Sequence, residues 1–129
     1  MPGIIIPAMV FLHIIADFNL QGILAQLKQK QWWKDNHPDE LYKRDWLTSL
    51  ALHSFMWAFL VHVPIIIVAF IIRDEIVLQW IIVSIVGHTV MHAIIDHCKA
   101  NKHALSLTSD QLLHFLQIMA VWFSFMAIK

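Results

Sequence analysis

One feature recurs four times in this 129-residue chain: an apolar run of about the length that crosses a bilayer. A spanning helix needs about 20 mostly apolar residues, and inside hydrocarbon its backbone must satisfy its own hydrogen bonds. The runs cover residues 4–21 or on to 27, 46–72, 76–99 and 109–128. They predict an all-α fold, a four-transmembrane-helix bundle in which residues 1–129 form a single integral membrane domain, with helices at about 4–27, 46–72, 76–99 and 109–128. Composition agrees: 59% of residues are hydrophobic, against about 45–50% in soluble domains. Charged residues are 14%, about half the soluble norm. The formal net charge is zero, so no basic field attracts nucleic acid. A single cysteine, Cys98, excludes an internal disulfide, and the opening "MPGIIIPAMV" lacks the basic start and cleavage site of a signal peptide.

Local signals punctuate the runs. Pro7 falls in the first turn of helix one, where proline is tolerated. Asp45 is the expected N-cap of helix two, and Thr108 or Ser109 that of helix four. Pro64 should kink helix two, and Arg73-Asp74-Glu75 should turn the chain tightly into helix three. The polar stretch 28–45, "KQKQWWKDNHPDELYKRD", is the one long connection. Its Trp32, Trp33 and Tyr42, with Trp46 beyond it, suit a membrane interface. Lys28, Lys30, Lys34, Lys43, Arg44, Lys99 and Lys102 share one side of this topology, and only Arg73 and Lys129 lie on the other. The positive-inside rule therefore predicts a protein of the inner (cytoplasmic) membrane with both termini outside the cytoplasm.

The polar residues inside the runs carry the chemistry. The chain holds nine histidines, as many as its lysines and arginines together. Helix one has His13, Asp17 and Gln21 four apart; helix two has His53; helix three has His88, His92 and Asp96 four apart. Helix four begins with Asp110 and Gln111 and continues to His114. At ~1.5 Å per residue, His53, His92 and His114 all lie roughly 7–11 Å from the cytoplasmic ends of their helices. Residues four apart share a helix face. Such a face cannot point at lipid, where each charge would cost at least ~2.5–3.5 kcal/mol. The faces must meet, and a divalent cation satisfies neutral imidazoles and carboxylates together. The candidate metal donors are His13, Asp17, His53, His88, His92, Asp96 and His114. Asp17, Asp110 and Lys99 are the candidate catalytic groups, and Gln21 and Gln111 the residues that orient the donors. "HIIAD" in helix one is echoed by "HAIID" in helix three, and Leu52-His53 by Leu113-His114, so each hairpin supplies two histidines and one aspartate. That serves one ion richly or two sparely.

The simpler reading of the same cluster is a polar bundle core that fixes helix register. His62 reads as a histidine hydrogen-bonded to a neighbouring helix. His37, His97 and His103 read as solvated, and Trp57, Trp80 and Trp122 as packing residues.

The motifs "HIIADFNLQ", "HAIIDHCK" and "DQLLH" resemble a small integral-membrane family of bacteria and phages, the domain-of-unknown-function family 3307. Its pattern is H-x3-D-x3-Q, a lone histidine, H-x3-D-x-x-K and D-Q-x-x-H over four helices. These fall here on His13, Asp17 and Gln21, then His53, then His92, Asp96 and Lys99, then Asp110, Gln111 and His114. Phe18-Asn19 follows only in part the aromatic pair common beside the first aspartate. The family is distantly similar to membrane-bound metal-dependent hydrolases, an analogy that implies hydrolysis.

The leading expectation is therefore a membrane-embedded metal-dependent hydrolase. Its cofactor would be one or two divalent ions, Zn²⁺ foremost, and its substrate lipid-like or phosphate-bearing at the cytoplasmic interface. Lys99 would hold an anionic headgroup, and the partners would be the lipid bilayer and a further copy of the chain. Proton- or ion-coupled transport, a haem-binding bundle and a small membrane effector with a structural metal are the alternatives.

Overall fold

The computed structural model describes residues 2–129, which are almost wholly helical. A 3₁₀ turn at Pro2–Ile4 leads into α1 (Ile5–Ile14), which continues as a π-helical segment over Ile15–Leu20. Short helices α2 (Leu24–Leu27) and α3 (Lys30–Asn36) and a 3₁₀ turn at Glu40–Tyr42 make up the connection. Three long helices follow: α4 (Asp45–Ile72), α5 (Glu75–Ala100) and α6 (Leu107–Ile128). Among the described residues three helices are long and apolar enough to cross a membrane, those ending at Ile72, Ala100 and Ile128. The apolar stretch Ile5–Leu20 is shorter.

Two boundaries differ from expectation for identifiable reasons. The first helix does not run on to residue 27. It ends after Leu20, and Gly22 takes φ +45°, a left-handed conformation that glycine adopts without a Cβ penalty. α6 starts earlier than expected, because Ser106 is the N-cap and its hydroxyl accepts from the Ser109 amide at 3.1 Å. Asp45 is the first helical residue of α4 and not its cap, so its charge acts on the helix dipole. At the tight turn, Arg73 is left-handed (φ 52°) and Asp74 caps α5 through the Val77 amide. α4 runs unbroken through Pro64.

α1 packs on α4 and α6, α4 on α5, and α5 on α6, so these four elements enclose a common interior. That interior has two halves. One end is apolar, built from Ile5, Met9, Trp57, Ala58, Val61, Ile65, Ala69, Val77, Ile81, Ile118, Val121 and Phe125. The other end buries His13, Asp17, His53, His92, Asp96, Asp110 and His114. The outward faces carry Phe11, Ile67, Phe70, Ile71, Ile82, Val83 and Phe123, all exposed. This inside-out distribution suits lipid as the surrounding solvent. Lipid gives no hydrophobic drive for helix association, so close packing has to supply it. Buried small residues, Ala16, Ser54, Ala58 and Ala69, let the backbones approach.

Candidate metal centre

Four elements deliver six candidate donors. The π-helical segment carries Asp17, α4 carries His53, α5 carries His92 and Asp96, and α6 carries Asp110 and His114. A π segment is a frequent device where a helix must re-aim a functional side chain. Here it is closed by Gln21, whose side-chain amide donates to the Asp17 carbonyl.

The donors sit at ligand-to-ligand distances. His53 Nε2 lies 3.2 Å from Asp96 Oδ2, 3.5 Å from Asp17 Oδ1 and 3.3 Å from His92 Nε2. His92 Nε2 lies 3.7 Å from Asp96 Oδ1 and 3.8 Å from Asp17 Oδ1. His114 Nε2 lies 3.4 Å from Asp110 Oδ1, 3.6 Å from Asp96 Oδ1 and 3.7 Å from Asp17 Oδ2. A tetrahedron of zinc bonds ~2.0–2.1 Å long has edges of about 3.3 Å. Three overlapping trios have donor atoms all within 4.8 Å of one another: Asp17, His92 and His114; His53, His92 and Asp96; and Asp96, Asp110 and His114. All six residues are buried, and the three histidines are 0% exposed.

Orientation comes from the surrounding side chains. The His92 ring stacks against both Trp57 and His114, with centroids 4.3 Å from each, and those two rings are 5.5 Å from one another. His114 Nδ1 donates to Gln117 Oε1 at 3.2 Å, and Gln117 in turn donates to the His88 carbonyl. With its proton on Nδ1, His114 presents the Nε2 lone pair to the three carboxylates. His13 is tied on both nitrogens. The Trp57 indole, which can only donate, gives its hydrogen to His13 Nδ1 at 2.7 Å. His13 Nε2 therefore donates to Gln111 Oε1 at 3.0 Å, and Gln111 donates to Asp17 Oδ2 at 3.2 Å and to Asp110 Oδ2 at 3.1 Å.

Two of the sequence-derived donors thus stand outside the donor trios. His13 anchors the carboxylates through Gln111. His88 is one turn from His92, but its ring lies 5.8 Å from that of His62, toward the apolar half. His62 is satisfied, with Nδ1 on the Ala58 carbonyl at 2.7 Å and Nε2 on the Ser84 hydroxyl at 2.8 Å. His97 stacks on Trp46 rather than standing free, and His37 joins a cluster with Trp32, Trp33 and Tyr42. Lys99 reaches back to Asp110 Oδ2 at 2.5 Å.

Sequence reasoning missed Lys28, Gln117, Trp57 and Asn101. Lys28 Nζ is 2.6 Å from Asp96 Oδ2 and 3.0 Å from Gln21 Oε1. The left-handed Gly22 turns the chain back, and Asn101 clips it by accepting from the Lys30 amide and donating to the Lys28 carbonyl. The signal for Lys28 was the glycine just after the first polar face; Gln117 was detectable as a residue three beyond His114. Asn101 carried no local sign. A cavity of about 300 Å³ lined by Gln21, Lys28, Gln29, Asp96, Lys99 and His103 opens beside this end of the cluster. The larger cavity, about 720 Å³, belongs to the connection and none of the donors lines it.

No family model, curated protein or solved structure matches the chain.

Proposed function

We propose that this chain is a four-span integral membrane protein whose His/Asp cluster binds a divalent cation of the zinc class and serves hydrolysis of a lipid-like or phosphate-bearing substrate. One observation carries the metal reading. His114 Nε2 and Asp110 Oδ1, 3.4 Å apart, and Asp17 Oδ1, which faces His53 and His92, are buried and lack hydrogen-bond partners. A polar core that only fixed helix register would satisfy its members, because a half-satisfied buried network is destabilising. Divalent-cation binding within the cluster would satisfy them.

When bound, such an ion supplies Lewis acidity and lowers the pKa of water to roughly 7. The chain's own residues divide the remaining work. Lys28 and Lys99 line the cavity beside Asp96, two cationic side chains that suit an anionic substrate. Gln111 and His13 hold the carboxylates in register. The apolar half of the interior, from Trp57 to Phe125, argues against a continuous proton or ion path, and the ring of carboxylates argues against haem.

In this reading Ile5–Leu20 spans with the support of its flanking turns, and the lysine-rich end faces the cytoplasm. Membership of family 3307 belongs to the proposal, on the strength of the polar motifs alone. The test is the metal content of purified protein. We expect bound zinc-class metal in the wild type and in His62→Ala, and its loss in His92→Ala with the fold retained by circular dichroism. Metal-free wild type after loading with Zn²⁺ would sink the reading.

A further inference from the structure

The six donors do not surround one point: two close pairs stand at either end, and His92 also shares a trio with Asp17 and His114. His53 and His92 make one, with Nε2 atoms 3.3 Å apart. His114 and Asp110 make the other, at 3.4 Å. Among the described residues Asp110 pairs with His114 and with neither His53 nor His92. Asp17 faces both sets with different oxygens: Oδ1 points to His53 and His92, and Oδ2 to His114. Asp96 also faces both, with Oδ2 toward His53 and Oδ1 toward His92 and His114.

This is the arrangement of two carboxylate bridges. Each set then counts four protein donors, His53, His92, Asp17 and Asp96 on one side, His114, Asp110, Asp17 and Asp96 on the other; water or substrate would enter as a fifth ligand. We infer that the cluster is a two-cation centre, bridged by Asp17 and Asp96, with His53 and His92 terminal to one ion and His114 and Asp110 terminal to the other. The inference rests on the metal reading above and adds the number of ions and the ligand partition.

Charge then bears on the substrate. Three carboxylates against Lys28 and Lys99 leave one negative charge. Two divalent cations turn that into a surplus of three positive charges, which an anionic substrate relieves. Paired ions are the usual clamp on an oxygen-rich group such as a phosphoryl.

The experiment is stoichiometry. Wild-type protein in detergent is loaded with Zn²⁺, freed of excess by dialysis, and assayed for metal per chain. We expect two ions for wild type and one for Asp110→Asn, an isosteric change that removes a terminal donor from the second set alone. Loading wild type with Mn²⁺ gives a second readout that needs no variant: an exchange-coupled paramagnetic resonance spectrum. One ion per chain with an isolated six-line Mn²⁺ spectrum overturns the two-cation centre and leaves the metal reading intact. Two ions retained in a folded Asp110→Asn overturn the partition. No ion in wild type overturns both readings. If Asp110→Asn does not fold, the Mn²⁺ spectrum of wild type decides alone.

Discussion

Single side chains decide whether this cluster is a burden or a site. Lys28 is the clearest case, since its side chain is 12% exposed and that of its partner Asp96 4%. Removing one partner of a buried pair leaves the other charge uncompensated, typically at ~3–5 kcal/mol. Lys28→Met should therefore destabilise metal-free protein by about that amount, and Zn²⁺ should raise its unfolding temperature more than it raises that of wild type. Equal metal-induced shifts in the two proteins would show that Lys28 does not offset Asp96. The histidines and aspartates of the cluster were legible because helical spacing and the penalty for charge in lipid together force them inward. Lys28 was not legible, because its reach depends on a turn and on Asn101 from a distant helix. His13 and His88 show the limit of spacing as a guide. Each shares a face with a member of the buried His/Asp trios, yet Gln111 and Trp57 occupy the first and the second faces His62.

At the level of elements, the long helices followed from apolar length almost to the residue: 45–72 against 46–72, and 75–100 against 76–99. The first element did not, because hydropathy carries no sign of a π segment. The break at Gly22 is where the first element hands over to the connection. A Cβ there would meet only the Leu20 carbonyl at 3.9 Å, an ordinary contact, so the difficulty is the left-handed φ and not space. Gly22→Ala should cost about 1 kcal/mol, and Gly22→Asn less, because asparagine tolerates that conformation. Thermal unfolding in detergent checks the order. An alanine variant as stable as wild type would mean that the turn is not held left-handed.

Across the whole molecule the interior is divided, apolar toward the chain termini and polar toward the connection. Anything that binds only the folded cluster stabilises the entire bundle, by ~2.7 kcal/mol at a ligand concentration one hundred times Kd. Protons compete with the ion for imidazole and carboxylate, so the Zn²⁺-induced rise in unfolding temperature should be large near neutrality and shrink as pH falls. A rise that grew on acidification would contradict ligation by these groups. The lysine contacts bear on how such a protein is made. Because Lys28 and Lys99 neutralise two of the three acids from within the chain, the helices can enter the bilayer and assemble before any ion reaches them. In the proposed metal reading, insertion and loading of the ion would then be separate events, the second free to wait on supply from the cell.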